Sequence, residues 1–159
     1  MQLKHLLLGI ALFGIFLTGK TQSLTKAKQD SLMFLWNDIN QHDTIRLRAI
    51  GRIAMEGYRF KNPDSAFYYA QLQYDLASST KNKEYIVQAL NIQGDSHLLK
   101  GDPDKANDAF WRGLKIAEEI DDKKLKIRSL GNISRVLEAK GELEKALEYN
   151  LQILKLSEE

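Results

Sequence analysis

Residues able to do acid–base or metal chemistry are few in this sequence, and their spacing does not group them. The acidic pairs Glu118-Glu119 and Asp121-Asp122 could serve as acid and base, but they fall where one helix is predicted to end and the next to begin. Acidic side chains near the N-terminus of the next helix complement its dipole. His97 has no second ligand four residues on, and the chain has no cysteine, so a structural role is favoured over metal binding.

Motifs of known catalytic mechanisms do not occur in the sequence either. It contains no nucleophile elbow, no glycine-rich phosphate loop and no His-Glu-x-x-His pair. We therefore predict no enzymatic activity for this segment, and no catalytic, cofactor or metal site. An aromatic cluster could form a stacking platform for a ligand, although rings at helical spacing more often pack within and between helices. The cluster consists of Phe67, Tyr68, Tyr69 and Tyr74.

The first 21 residues have the pattern of a secretory signal peptide. Lys4 precedes an apolar run of 14 residues, 6–19, and a short polar stretch of small residues follows it. A membrane-spanning helix needs about 20 apolar residues, so a cleaved signal is favoured over an uncleaved anchor. We expect an exported protein that is periplasmic, or membrane-associated and facing the periplasm.

Charge and cysteine content restrict the partners of the mature chain. Removing residues 1–21 takes two of the 23 basic residues and none of the 21 acidic ones, which leaves 21 of each. A net charge near zero argues against a nucleic-acid partner and against a membrane surface bound through bulk charge. Membrane contact is then expected only through an uncleaved signal or a downstream segment. Without cysteine, the fold must be held by packing rather than disulfides.

Three short segments recur at a spacing of 40 residues. They are residues 62–66 (NPDSA), 102–106 (DPDKA) and 142–146 (ELEKA). The only two prolines, Pro63 and Pro103, follow a capping Asn or Asp, where a starting helix tolerates the missing N–H. Such periodicity is typical of a solenoid of stacked helical units, which binds partners along a surface more often than it catalyses in a pocket.

The pattern of apolar residues and turn residues predicts an all-α chain with seven helices. An N-terminal capping helix is expected over residues 24–41, with Leu32, Leu35, Trp36 and Ile39 along one stripe. The repeat array covers residues 44–159, with repeats at about 44–80, 83–120 and 122–157. The first repeat's opening helix is expected from about Thr44 to Phe60, capped by Asp43 or Thr44. The opening helices of the second and third repeats are expected to end at Gly101 and Gly141 in the left-handed conformation. The first repeat has Lys61 at the equivalent position.

These features resemble the tetratricopeptide repeat in a long form of about 40 residues. The first, or A, helix of each repeat carries a small residue at its crossing point, namely Ala54, Gly94 or Ser134. The second, or B, helix begins its packed face with Ala66, Ala106 or Ala146. The resemblance implies a right-handed α-solenoid of antiparallel helix pairs, about three repeats plus the N-terminal helix. HEAT-like repeats share the period and are the alternative architecture.

The resemblance also implies a concave groove lined by the A helices, which would bind a protein or peptide. Four arginines among amides in this groove would suit an extended peptide with acidic groups, because guanidinium groups pair bidentately with carboxylates. The alternative is an unused, solvated face. The groove positions are Arg48, Arg52 and Met55 in the first repeat, Gln88, Asn91 and Asp95 in the second, and Arg128, Asn132 and Arg135 in the third.

The last predicted helix has more apolar residues than one inner face requires. Leu147, Leu151 and Leu154 would form an open edge, covered either by more protein or by a partner, including a second copy. An export signal, a capping helix and 40-residue repeats together resemble the periplasmic N-terminal region of Bacteroidetes-type sensor histidine kinases and nucleotide cyclases. That resemblance implies a sensory interaction module with a catalytic output domain elsewhere. A free-standing exported adaptor or scaffold that dimerises through its last helix is the alternative.

Overall fold

The computed structural model describes residues 24–158, in which every regular element is a helix. The predicted all-α solenoid of helix pairs is confirmed, and the leader predicted at residues 1–21 lies outside the described residues. None of the described helices has the length and apolar content needed to cross a membrane. In chain order the helices are α1 (Lys26–Asn37), α2 (Asp43–Arg52, continued by a π-helical segment, Ile53–Tyr58), α3 (Pro63–Ser79), α4 (Lys83–Leu99), α5 (Pro103–Glu119), α6 (Lys123–Ala139) and α7 (Leu143–Glu158).

Side-chain caps at a 40-residue spacing start the helices. The Asn62 carboxamide oxygen accepts a hydrogen bond from the Ser65 backbone N–H at 3.0 Å, and the Asp102 carboxylate accepts one from Lys105 at 3.2 Å. Both prolines stand directly after these caps, as predicted. Each cap satisfies a backbone donor that the first helical turn leaves free.

The capping residue of α2 differs from the prediction. His42, rather than Asp43 or Thr44, is the cap, and its ring Nδ1 accepts from the Thr44 backbone N–H at 3.3 Å. Asp43 instead lies in the first turn of the helix, where its carboxylate complements the helix dipole.

Glycine ends the second and third A helices. Gly101 and Gly141 have φ of 79° and 78°, the left-handed conformation that was predicted, and glycine adopts it without a steric penalty. The first A helix ends differently. Regular α-helix stops at Arg52, and the π-helical segment leads into a turn in which the Lys61 and Asn62 N–H groups both reach the Tyr58 carbonyl. The helix that was predicted to reach Phe60 therefore ends at Tyr58, and its last six residues are π-helical.

Close approach between helices depends on small residues. Ala54, Ala66, Ala106 and Ala146 are buried, and Gly94 lies under the Phe110 ring of α5. A Cβ atom on Gly94 would lie 2.4 Å from a carbon of that ring. The glycine thus makes the space that the largest fully buried side chain fills.

The N-terminal helix α1 covers the open side of the first repeat. Leu32 and the partly buried Trp36 pack against Ile50 and Ile53 of the first A helix. Ile39 does not share this stripe, because α1 ends at Asn37, and its side chain is 79% exposed. The helix therefore supplies a neighbour that the first repeat otherwise lacks.

We expect Gly94→Ala to lower the free energy of unfolding by about 1–3 kcal/mol, since the added methyl group overlaps the ring of the fully buried Phe110. Gly131→Ala in α6 is the matched control, because its Cβ would meet only Ile153 Cδ1, at 3.8 Å. The control should stabilise by up to about 1 kcal/mol through helix propensity. Urea unfolding followed by circular dichroism measures both, and equal effects would contradict the packing assignment.

Candidate functional site: the groove of the A helices

Five of the nine predicted groove positions line a single cavity between the A helices. It has a volume of about 90 Å³ and lies where α2, α4 and α6 come together. Gly51 and Ile92 line it as well, together with Glu56 from the π-helical segment. The five predicted residues are Arg48, Arg52, Met55, Gln88 and Arg128.

The cavity has positive charge on two sides. Arg48 and Arg128 are both exposed and form no ion pair among residues 24–158. Arg52 differs, because its Nε and Nη2 donate to the two Glu56 carboxylate oxygens at 2.6 and 2.9 Å. The hydrogen bond from Arg52 lowers the pKa of Glu56, and in return Glu56 raises the pKa of Arg52. Uncompensated charge at the cavity therefore comes from Arg48 and Arg128.

The wall next to Arg52 is the π-helical segment, which supplies Met55 and Glu56 to the cavity. A π-helical turn has one more residue per hydrogen-bonded ring than an α-helix, and such turns occur frequently at functional sites. Sequence reasoning did not include Glu56, although an Arg and a Glu four residues apart on a helix are a known pairing signal.

The other end of the groove is closed by an ion-pair network centred on Asp95. The Asp95 side chain is only 4% exposed, and its two carboxylate oxygens lie 2.8 Å from Arg59 Nη2 and 2.8 Å from Arg135 Nη1. Arg59 follows the π-helical segment, Asp95 is in α4 and Arg135 is in α6. We call these three residues the Asp95 clamp, since one carboxylate joins the A helices of all three repeats.

A second set of hydrogen bonds extends this clamp toward the N-terminal ends of α4 and α6. Asn132 Nδ2 donates to Asn91 Oδ1 at 3.0 Å, and Arg135 Nη1 donates to Asn132 Oδ1 at 3.1 Å. Ser129 and Asn91 are also in contact at 3.4 Å. Buried polar groups need such partners, because an unpaired one costs about 1–3 kcal/mol.

Four predicted groove residues are therefore contacts between repeats rather than free lining. Asn91, Asp95 and Asn132 are buried, and Arg135 is held by Asp95 and Asn132. The sequence contained a signal for this, because positions 95 and 135 are equivalent, 40 residues apart, and carry opposite charges. Arg59 had no such signal, since its reach to Asp95 depends on the π-helical turn before it.

The other candidate residues either pack against a neighbouring ring or cap a helix. The His97 ring meets Phe67 edge to face, with centroids 5.1 Å apart, and burial lowers the pKa of His97. Asp122 caps α6 by accepting from the Leu125 N–H at 3.0 Å. Tyr69 stacks on Tyr58 with centroids 5.2 Å apart. Within the described part of the chain, no three His, Asp or Glu side chains are grouped as a metal site would require.

The leucines predicted as an open edge are exposed on one side of α7. Leu147, Leu151 and Leu154 are 59%, 56% and 54% exposed, and Leu143 continues the row. A neighbouring side of the helix packs inward through Ala146 and Ile153. The row has no partner among residues 24–158.

We expect Asp95→Asn to lower the free energy of unfolding by about 1–3 kcal/mol, because it removes the charge that pairs two partly buried guanidinium groups. Asp108→Asn makes the same change in an exposed pair, with Arg112 at 3.6 Å, and should have little effect. Chemical unfolding of both variants at low and high salt measures this difference. Equal losses would show that the Asp95 clamp contributes no more than a surface pair.

The comparisons with known proteins agree with the helix arrangement. Residues 85–159, just under half of the chain, match the family model described as tetratricopeptide repeat. No curated protein matches the chain. The matched segment begins in α4 and continues through α7, and the first helix pair keeps the same 40-residue spacing of its cap and its small residues. The chain is therefore an all-α solenoid of repeats like those of the tetratricopeptide family.

Proposed function

We propose that this chain is a non-catalytic protein-interaction module that binds an acidic, extended segment of a partner protein in the groove of its A helices. The observation that carries the proposal is the pair Arg48 and Arg128. These guanidinium groups come from the first and third repeats and flank one cavity, with Gln88 of the second repeat between them. Tetratricopeptide-like repeats generally mediate binding between proteins, which supports this class of function.

The dimensions of the cavity favour a peptide over a small molecule. At about 90 Å³ it is well below the roughly 300–1,000 Å³ of typical small-molecule sites, but it can take one side chain. Ile92 and Met55 give it an apolar wall. A partner segment with one apolar side chain between carboxylates would therefore place hydrocarbon in the cavity and charge against the guanidinium groups.

The location of this activity is a further part of the proposal. The leader pattern in residues 1–21 supports export, and the repeat pattern after it resembles the periplasmic part of bacterial sensor kinases and cyclases. We propose that the module is the sensory N-terminal part of such a membrane signalling protein. Fusing residues 1–23 to a reporter enzyme that is active only after export tests the first step. A reporter that stays inactive would contradict it.

We expect the double variant Arg48→Glu, Arg128→Glu to lose at least tenfold in affinity for a fluorescent acidic peptide, Glu-Glu-Leu-Glu-Glu, relative to the unchanged protein. Two attractive contacts become repulsive, and every 1.4 kcal/mol is a factor of ten. Fluorescence polarisation at increasing salt measures the affinity. Arg135 is unsuitable for this test because it holds the Asp95 clamp.

The control for this experiment is Lys61→Glu, Lys115→Glu. It makes the same change in net charge at two exposed lysines that do not line the cavity. If the control loses as much affinity as the groove variant, binding follows net charge and the groove is not the site. If the unchanged protein does not bind the peptide, the acidic-partner proposal is wrong.

A second candidate function, an adaptor that dimerises through its last helix, is favoured by the exposed leucine row of α7. In α3, the equivalent positions Phe67 and Gln71 contact the next A helix, so the same side of that B helix has a neighbour. Glu148 and Lys155 flank the row and form no ion pair among the described residues. In an antiparallel pair of α7 helices centred near Leu151, Glu148 of each copy would lie opposite Lys155 of the other.

For this candidate we expect a dimer in size-exclusion chromatography with light scattering, and a monomer after Leu151→Glu. Burying a leucine contributes about 1.5–3 kcal/mol, and a buried glutamate at the centre would cancel several of these contributions. Gln152→Glu adds the same charge one residue away and should keep the dimer. A monomeric unchanged protein would remove the adaptor candidate.

A further inference from the structure

A second and larger cavity lies on the other side of the solenoid. It has a volume of about 600 Å³, within the range of small-molecule sites, and is formed by the B helices α3 and α5 with α4 as its floor. Gln93 and His97 of α4 line it, whereas Gln88 and Ile92 line the groove. At 100° per residue these pairs point to nearly opposite sides of the helix, so the two cavities are separate.

The walls of this B-helix cavity combine aromatic rings with amide groups. Phe67 and Tyr74 of α3 supply the rings, and Phe67 is held by its edge-to-face contact with His97. Gln93 Nε2 donates to Gln71 Oε1 at 2.9 Å, which leaves the Gln71 amide N–H groups and the Gln93 carbonyl available to a ligand. Ala109 of α5 is the small residue of the opposite wall.

The neighbouring pair of B helices shows what this space contains when it serves packing alone. Between α5 and α7 the rings of Trp111 and Tyr149 meet edge to face, with centroids 6.1 Å apart. Forty residues earlier, these positions are Gln71 and Ala109. The residues of the floor differ in the same way. Where α4 has Gln93 and His97, the equivalent positions of α6 are Ile133 and Leu137.

At four equivalent positions, the B-helix cavity thus has smaller or polar side chains where the next pair of B helices has large rings or aliphatic groups. This difference gives up the packing contacts that the Trp111–Tyr149 pair makes. A cavity of about 600 Å³ that is lined by rings and amides has the size and composition of a ligand site.

The charges at the rim restrict the class of ligand. Each charged side chain lining the cavity has a partner: Lys105 lies 2.8 Å from Asp102, and Arg112 lies 3.6 Å from Asp108. Asp104 pairs with Lys140 at 2.5 Å. The charged lining residues are two acids and two bases, so the rim has no net charge that would attract a charged ligand.

We propose that the B-helix cavity binds a neutral, planar aromatic ring with a hydrogen-bonding group, such as indole. The ring takes the place that Trp111 and Tyr149 fill in the next repeat, in contact with Phe67 and Tyr74. Its N–H or O–H group bonds to the amides of Gln71 and Gln93. The same chemistry is offered by a free aromatic molecule and by a tryptophan side chain of a bound protein.

Fluorine NMR with 5-fluoroindole and N-acetyl-5-fluorotryptophanamide tests the proposal, since neither signal overlaps with the protein's own tryptophans. We expect the unchanged protein to broaden the fluorine signals of the bound compounds. Ala109→Tyr places in the cavity the tyrosine that the next repeat has at the equivalent position, Tyr149, and should lower the affinity at least tenfold. Glu118→Tyr adds the same ring at an exposed position of α5 and should bind like the unchanged protein.

Gln71→Trp is a second filling variant, made from the α3 side, in case Ala109→Tyr does not fold by circular dichroism. If a folded filling variant binds as well as the unchanged protein, the ligand lies elsewhere and the proposal is overturned. Absence of binding by the unchanged protein in the millimolar range overturns it as well. Tighter binding of the amide assigns the ring to a protein partner, and tighter binding of indole assigns it to a free small molecule. Neither outcome depends on the groove of the A helices.

Discussion

The arrangement of the three repeats depends on one buried carboxylate. In a solenoid each repeat contacts only its neighbours, so the curvature follows from the interface between successive A helices. Asp95 lies in the middle A helix and contacts a guanidinium group from each of the other two, both at 2.8 Å. A carboxylate that is 4% exposed requires this pairing, because an unpaired buried charge costs several kcal/mol. The pairing therefore specifies one disposition of the A helices over others.

The Asp95 clamp also divides the groove into two ends of different character. At the clamped end Asn91, Asn132 and Arg135 bond to one another or to Asp95, so their polar groups are not free for a partner. At the other end, Arg48 and Arg128 have no ion-pair partner in the described chain, and they are kept apart by the same helix spacing that the clamp sets. Ion pairs between the repeats thus leave the available positive charge at one end of the groove.

Much of the fold could be predicted because local signals agree with one another. The 40-residue spacing, the caps at Asn62 and Asp102, and the glycines at 101 and 141 each specify a helix end independently of the rest of the chain. The π-helical segment was missed because no residue near it indicates a π-helix. It stands in the repeat that has Lys61 in place of the turn glycine, and a lysine adopts the left-handed conformation less readily than a glycine. Its consequence, the contact of Arg59 with Asp95, was therefore missed as well. The B-helix cavity depends on which side chains face each other across repeats, and a pattern read along one helix does not show that.

If the Asp95 clamp holds the A helices of the first and third repeats in one arrangement, the distance between these two helices should have a single value. The chain has no cysteine, so spin labels can be attached at Lys61→Cys and Ala139→Cys, two exposed positions at the ends of those helices. Pulsed electron paramagnetic resonance then gives the distribution of distances between the labels. We expect one narrow distribution of distances with the clamp intact, and a broader or shifted one after Asp95→Asn in a variant that remains folded. Identical distributions would contradict it.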